Sequence, residues 1–244
     1  SYIPVEFDLL ITEIMADPEP VVGLPNAEYI EMYNASDYSI NTESLHLFIN
    51  DKKVSILSEA LEAGSYHLFI DDDDQEAFRD YENVHFLSSL NLLNSKNDVV
   101  LLNGNNEIIH FATYEKDLYS SESKSEGGWS LELSQMDNPC KPGNLWLESE
   151  SYLGGTPGNK NSVSGNEITK STDLIKHIGI PANNRIRIYL NEYIPQDHLN
   201  KLNIDILPEL EIDTFMFDLK SFALDVHTKQ PLSTDKTYRL QIKN

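Results

Sequence analysis

At 244 residues, 40% of them hydrophobic, the chain is long enough to bury one core of about 150 residues and a second of about 80, and no apolar run approaches the ~20 residues that span a bilayer. Its formal charge of -22 is unevenly placed: residues 1–163 hold 29 acids against 8 bases, residues 164–244 hold 11 against 10. With no bilayer-spanning run, membrane insertion is not expected; the acidic surface argues against direct nucleic-acid binding and favours cations and basic proteins as partners, while the single cysteine, Cys140, excludes an intrachain disulfide and a Cys-based zinc site.

Short segments of alternating polarity, separated by turn residues, run the length of the chain and predict an all-β fold. In order, strands are expected at Asp8–Met15, Glu28–Tyr33, Leu45–Ile49, Lys53–Ile56, Tyr66–Ile70, Val84–Phe86, Asp98–Leu102, Ile108–Thr113 and Trp129–Leu133. In Glu28–Tyr33, alternation places Tyr29, Glu31 and Tyr33 on one face and Glu28, Ile30 and Met32 on the other. Asn103-Gly104-Asn105 between two apolar runs predicts a hairpin, because Asn and Gly accept positive φ. The one helix expected is a short one at Asp73–Asp80.

From Asp117 to Gly128 the chain is polar and Ser-rich, and from Asn138 to Gly165 it is rich in Gly, Pro and Asn. Both stretches predict loops, the second also the exit from a first domain near Ser162–Glu167. Strands then resume at Arg185–Leu190, Asn203–Ile206, Ile212–Phe217, Ser221–His227 and Thr237–Ile242. The expected domains are 8–163 and 168–244.

Three separated segments carry a family resemblance. ITEIM…EYIEMYN opens the chain, SLNLLNSKNDVVLLNGNNEIIHFATY spans Ser89–Tyr114, and GGWSLELSQMDNPCKPGNLWLESESYLGGTPGNKNSV spans Gly127–Val163. Their order resembles the lamin-tail domain family, whose close variants look like those of exported proteins from Bacteroidetes-type bacteria. The resemblance implies an immunoglobulin-like β-sandwich, a secreted or cell-surface location and no transferable catalytic residues. RIRIYLNEYIPQD (Arg185–Asp197) and PLSTDKTYRLQIKN (Pro231–Asn244) are similar to bacterial Ig-like modules, implying a second, smaller Ig-like sandwich.

Candidate chemistry rests on carboxylates. Glu13, Asp17, Glu19, Glu28 and Glu31 fall where two antiparallel strands bring them near one another, and Asp71-Asp72-Asp73-Asp74 is an acidic run without a base. Glu28, Glu31, Asp71, Asp72 and Asp73 are the candidate metal ligands, with calcium as the cation, since calcium takes six to eight oxygens from loop carboxylates and carbonyls. The competing readings are that Glu28 and Glu31 cap loop amides, that the aspartates are a solvated turn capping the short helix, or that a carboxylate pair performs acid–base chemistry, which demands a cleft and a defined separation. The seven histidines form no HExxH or paired ligand spacing, and no nucleophile elbow or phosphate-binding loop is present. Trp129, alternating with Leu131 and Leu133, is expected in the core; Trp146, in a loop, is either a core lid or a ring that stacks on a glycan. The expectation is a non-enzymatic interaction or spacer module presenting sandwich loops to a protein or a cell-surface glycan, with two alternatives: an accessory region of a larger secreted hydrolase or nuclease, or a glycan-binding module.

Overall fold

The computed structural model describes residues 2–137, 139, 145–166, 174–191, 193–219 and 221–243. The protein is all-β, with 42% strand and 7% helix. The described residues up to 166 form one compact unit and those from 174 onward a second. Cys140 and part of the expected link, beyond 166, lie outside the described residues.

The first unit contains β1 (Leu9–Met15), β2 (Tyr29–Asn34), β3 (Ile40–Asn41), β4 (Leu45–Ile49), β5 (Lys52–Val54), β6 (Ala60–Leu61), β7 (Tyr66–Asp71), β8 (Val84–Leu87), β9 (Lys96–Asn103), β10 (Ile108–Glu115), β11 (Leu131–Leu133) and β12 (Trp146–Glu148), with one turn of helix, α1 (Glu122–Ser125). A six-stranded sheet, β12-β11-β1-β2-β7-β8, faces a four-stranded sheet, β10-β9-β4-β5, and β3 pairs with β6 as a small ribbon. Among the described residues every pairing in this unit is antiparallel except β7 with β8. The inward sides of both sheets supply one core that includes Ile11, Ile14, Ile30, Met32, Phe69, Leu47, Val99, Leu101 and Tyr114. Each such side chain contributes about 1.5–3 kcal/mol through burial, so the alternation that revealed the strands is also what holds the sheets together.

One irregularity decides where the polar residues go. β1 pairs Ile11 with Met32 and Glu13 with Glu31, so Thr12 is an extra residue, a β-bulge. Strict alternation would place Glu13 on the same side as Ile11. The bulge instead resets the phase: Ile11 and Ile14 both enter the main core, while Met15 joins a smaller cluster with Tyr29, Leu68, Ile70 and Phe78 on the outer face of the sheet. On β2, Ile30 and Met32 enter the main core and Tyr29 joins the outer cluster, in the alternation the sequence predicts.

The second unit contains β13 (Ile175–Ala182), β14 (Arg185–Leu190), α2 (Gln196–Leu199), β15 (Asn203–Leu207), β16 (Ile212–Asp218), β17 (Ala223–Thr228) and β18 (Arg239–Lys243). The four-stranded sheet β13-β14-β17-β16 and the two-stranded sheet β15-β18 share a core of Ile186, Ile188, Leu190, Ile204, Ile206, Leu224 and Val226. On β14, alternation sends Ile186, Ile188 and Leu190 inward, while Arg185 grips Asp225 of β17 through two bonds of 2.9 and 2.6 Å.

Several local expectations are corrected. The Asp73–Asp80 helix reduces to a single 3-10 turn at Asp72–Asp74 followed by turns. The β9–β10 hairpin exists, but its positive φ, 63°, is at Asn106, while the Asn103 side chain accepts from the amides of Asn105 and Glu107. Ser162–Asn166 belongs to the first unit: Val163 is fully buried and the Gly165 amide donates to the Ser134 carbonyl at 2.8 Å.

Candidate functional site

Three glutamates stand in a row across the outer face of the six-stranded sheet. Register pairs Glu132 of β11 with Glu13 of β1, and Glu13 with Glu31 of β2. All three are 0% exposed. Like charges so placed in a low-dielectric setting cost several kcal/mol each unless hydrogen-bonded or protonated, so the donors around them define what the site is.

Those donors come largely from the glycine-rich segment 154–163, which lies over the row. Glu13 Oε1 accepts from the hydroxyls of Tyr29 at 2.7 Å and Ser130 at 2.5 Å and from the Thr156 amide at 2.9 Å. Thr156 Oγ1 sits between two carboxylates, 3.3 Å from Glu13 and 3.1 Å from Glu132. Glu132 Oε2 accepts from Ser162 Oγ at 2.8 Å and the Val163 amide at 3.2 Å. Glu31 accepts from Thr12 Oγ1 at 2.8 Å and from the Gly158 amide at 2.7 Å. Asn161 completes the attachment by donating to the carbonyls of Thr12 and Leu133 at 2.8 and 3.0 Å. The bulge that turns Glu13 outward thus also exposes a carbonyl for Asn161 to satisfy.

The close approach needs Gly155: a Cβ there would stand 2.5 Å from Glu13 Oε1 and 2.6 Å from the Tyr29 hydroxyl. Burial and the neighbouring Glu132 charge push the Glu13 carboxyl up to about 7, against the pull of its donors. Burial and the Glu13 charge push Glu31 well above the usual carboxylate range. Burial and Glu13 likewise raise the Tyr29 hydroxyl, so it stays a donor.

The structure separates the sequence-predicted ligands into two places. Glu31 is in the buried row, its carboxylate oxygens occupied by Thr12 and Gly158. Glu28 immediately precedes β2, and the aspartates run from Asp71, the last residue of β7, into the turn that follows. Glu28 Oε2 accepts from the Leu92 amide at 2.8 Å, and burial, with Asp74, Asp71 and Asp17 nearby, pushes it up to about 7. For Glu28 and Glu31 the geometry is that of carboxylates capping loop amides. Asp71 caps its own turn, accepting from the Asp73 amide at 3.1 Å and the Leu90 amide at 2.8 Å. Burial opposes ionisation of Asp71, but those amides outweigh it and hold the carboxyl below its ordinary value. Asp71, Asp72 and Asp73 bring one carboxylate oxygen each within 4.8 Å of one another, Asp72 and Asp73 being exposed and Asp71 half-buried. They can offer part of a calcium shell, which requires further oxygens.

Beside that turn is an open groove of about 630 Å³, lined by Asp72, Asp73, Glu76, Tyr81, Val84 and Phe86 among others. Its lining mixes aromatic rings and acids with one base, Arg79, whose guanidinium pairs with Glu76 at 2.5 Å. Trp129, expected in the core, is only half-buried, while Trp146, on β12 rather than in a loop, takes the core place that was one of its two readings. Trp146 is 7% exposed and packs in the main core, so it is no stacking platform. Trp129 is half-buried, with Lys124 Nζ 4.4 Å above its ring.

Sequence reasoning missed Glu132, Ser130, Thr156 and Asn161. Alternation through Leu131-Glu132-Leu133 does mark Glu132 as facing away from the core, but only the strand order places it beside Glu13. No family model, no curated protein and no solved structure matches the chain.

Proposed function

We propose that the chain is a non-enzymatic interaction module, secreted or at a cell surface, in which a lamin-tail-like, Ig-type sandwich followed by a smaller Ig-like sandwich presents acidic loops to a basic protein partner. The observation that carries this reading is the division of the carboxylates. Glu13, Glu31 and Glu132 are buried and bonded to the chain's own amides and hydroxyls, which is the chemistry of a structural clamp on a closing loop. Asp72, Asp73 and Glu76 instead line the groove beside Tyr81 and Phe86. Carboxylates around aromatic faces suit Lys or Arg side chains, whose apolar stems lie on the rings while the cationic heads meet the acids. The net charge of the first unit adds long-range attraction for the same partners.

The test is a titration of a fluorescent Lys/Arg-rich peptide and its Glu-substituted control into the chain at two salt concentrations, repeated with Asp72→Asn, Asp73→Asn and Glu76→Gln combined. Saturable binding of the basic peptide alone, weakened by salt and reduced about tenfold or more in the variant, is expected. Equal binding by both proteins, or none by either, overturns the reading.

A further inference from the structure

Two histidines are buried side by side where β7 meets β8: His67 is 1% exposed and His85 4%. They sit on the inward side of the sheet, His67 opposite Met32 of β2 and His85 against the ring of Phe69, centroids 5.1 Å apart. The rings belong to a chain of contacts with fixed direction. His67 Nε2 is 3.2 Å from the Glu62 backbone carbonyl, His67 Nδ1 is 3.0 Å from His85 Nε2, and His85 Nδ1 is 2.6 Å from Glu59 Oε2.

Counting protons along this chain gives a definite answer. A carbonyl only accepts, so His67 carries its hydrogen on Nε2 and, when neutral, presents a bare Nδ1. The hydrogen between the rings must then come from His85 Nε2. A neutral His85 has no second hydrogen, and its bare Nδ1 would face a carboxylate oxygen at 2.6 Å, lone pair against lone pair. The chain as built therefore holds one proton more than two neutral imidazoles and a carboxylate. An imidazolium at His85, donating from both nitrogens, satisfies every contact.

We propose that His85 is a proton-operated clasp: doubly protonated, it binds the Glu59 side chain to the edge of the six-stranded sheet, and loss of its Nδ1 proton releases that side chain to water. Glu59 is placed for such a movement, since its side chain is 41% exposed while its backbone is fixed to Thr42 by bonds of 2.9 Å in each direction. The groups facing the rings from the surrounding elements are few among the described residues. β2 supplies Met32, β7 supplies Phe69, Ile56 bridges to Leu87 beyond His85, and the stretch 59–62 supplies Glu59 and the Glu62 carbonyl. Glu59 and the other ring are the charged or titratable groups among them. Burial pushes His67 down to about 4, which keeps it the neutral acceptor; burial also outweighs the opposing pull of Glu59 at His85 and holds that ring below the ordinary imidazole value. The clasp is closed on the acid side and opens as pH rises. It depends on neither the acidic groove nor its partner.

Imidazole nitrogen spectra of the full chain, recorded from pH 4.5 to 8.5 for wild type and Glu59→Gln, test this. The expected wild-type pattern is His67 as a single Nε2–H form throughout, with His85 protonated on both nitrogens at the acid end and losing Nδ1–H as pH rises. A Gln amide can donate to a bare Nδ1, so in Glu59→Gln the neutral His85 is accommodated and its proton affinity falls about tenfold or more. His85 singly protonated across the whole range, or a midpoint unmoved in Glu59→Gln, overturns the proposal. Should the variant fail to fold, the wild-type nitrogen pattern decides alone.

Discussion

Removing the ionisable oxygen of Glu13 while keeping its shape tests whether the glutamate row is a strained clamp. Glu13 is fully buried and its carboxyl is pushed up from 4.5 to about 7. An acid whose folded value is raised binds more protons in the native state than in the unfolded one between those values, so stability falls as pH rises through them. The full displacement corresponds to about 3 kcal/mol, of which about 2 kcal/mol falls between pH 5 and pH 7.5. Glu31 is shifted in the same direction and adds to the slope. In Glu13→Gln the amide is neutral at every pH, and its carbonyl oxygen can still accept from Tyr29, Ser130 or the Thr156 amide. Urea denaturation at the two pH values, compared through midpoint and slope, should show the wild type losing stability toward pH 7.5 relative to Glu13→Gln by about 2 kcal/mol, with the variant at least as stable as wild type at the higher pH. Parallel pH dependence in the two proteins would refute the burial argument, because the only titrating group removed is the one held responsible.

Gly155→Ala places a methyl 2.5 Å from Glu13 Oε1 and 2.6 Å from the Tyr29 hydroxyl, and should cost about 1–3 kcal/mol by lifting the loop from the row, read as a lowered thermal midpoint. Trp146→Ala should cost about 3–5 kcal/mol because it empties a core site, with Trp129→Ala costing clearly less; glycan-array signal lost in Trp146→Ala without loss of stability contradicts this placement. Calcium titrated calorimetrically into metal-stripped protein should produce any saturable heat at Asp71–Asp73, abolished by Asp72→Ala and retained in Glu31→Gln, because Glu31 is sealed beneath Gly158.

How much of this was legible beforehand follows from which contacts are local. Strands such as Leu45–Ile49 and Arg185–Leu190 were read to the residue because each buries one face and alternates, and that alternation is a property of consecutive positions. β3 and β6, two residues each, have no room to show a period. β13 was missed for another reason: Ile175, Ile178 and Ile180 are 40–64% exposed, and Gly179 and Pro181 interrupt the pattern that burial would impose. Trp129 alternates correctly with Leu131 and Leu133, yet only the leucines enter the core; Trp129 instead lies beneath Lys124.

The carboxylates show the same limit at the level of the site. Sequence proximity grouped Glu28 with Glu31 and left Glu132 aside, whereas the sheet groups Glu31 with Glu13 and Glu132 and sets Glu28 beside the Leu92 amide. What joins the row is strand order, β11-β1-β2, together with a one-residue bulge at Thr12 that the alternating letters of LLITEIM do not announce. The glycine-rich segment was legible as a turn because Gly and Pro act locally; that it is a lid was not, because the reason for Gly155 is a glutamate 142 residues away. A buried triad of acids with no basic side chain against it among the described residues reads, on chemistry alone, as a catalytic or metal centre. Counting donors accounts for its oxygens by bonds that hold the glycine-rich segment 154–163 against the sheet, which leaves the exposed acids around the Tyr81–Phe86 groove as the surface proposed to meet a partner.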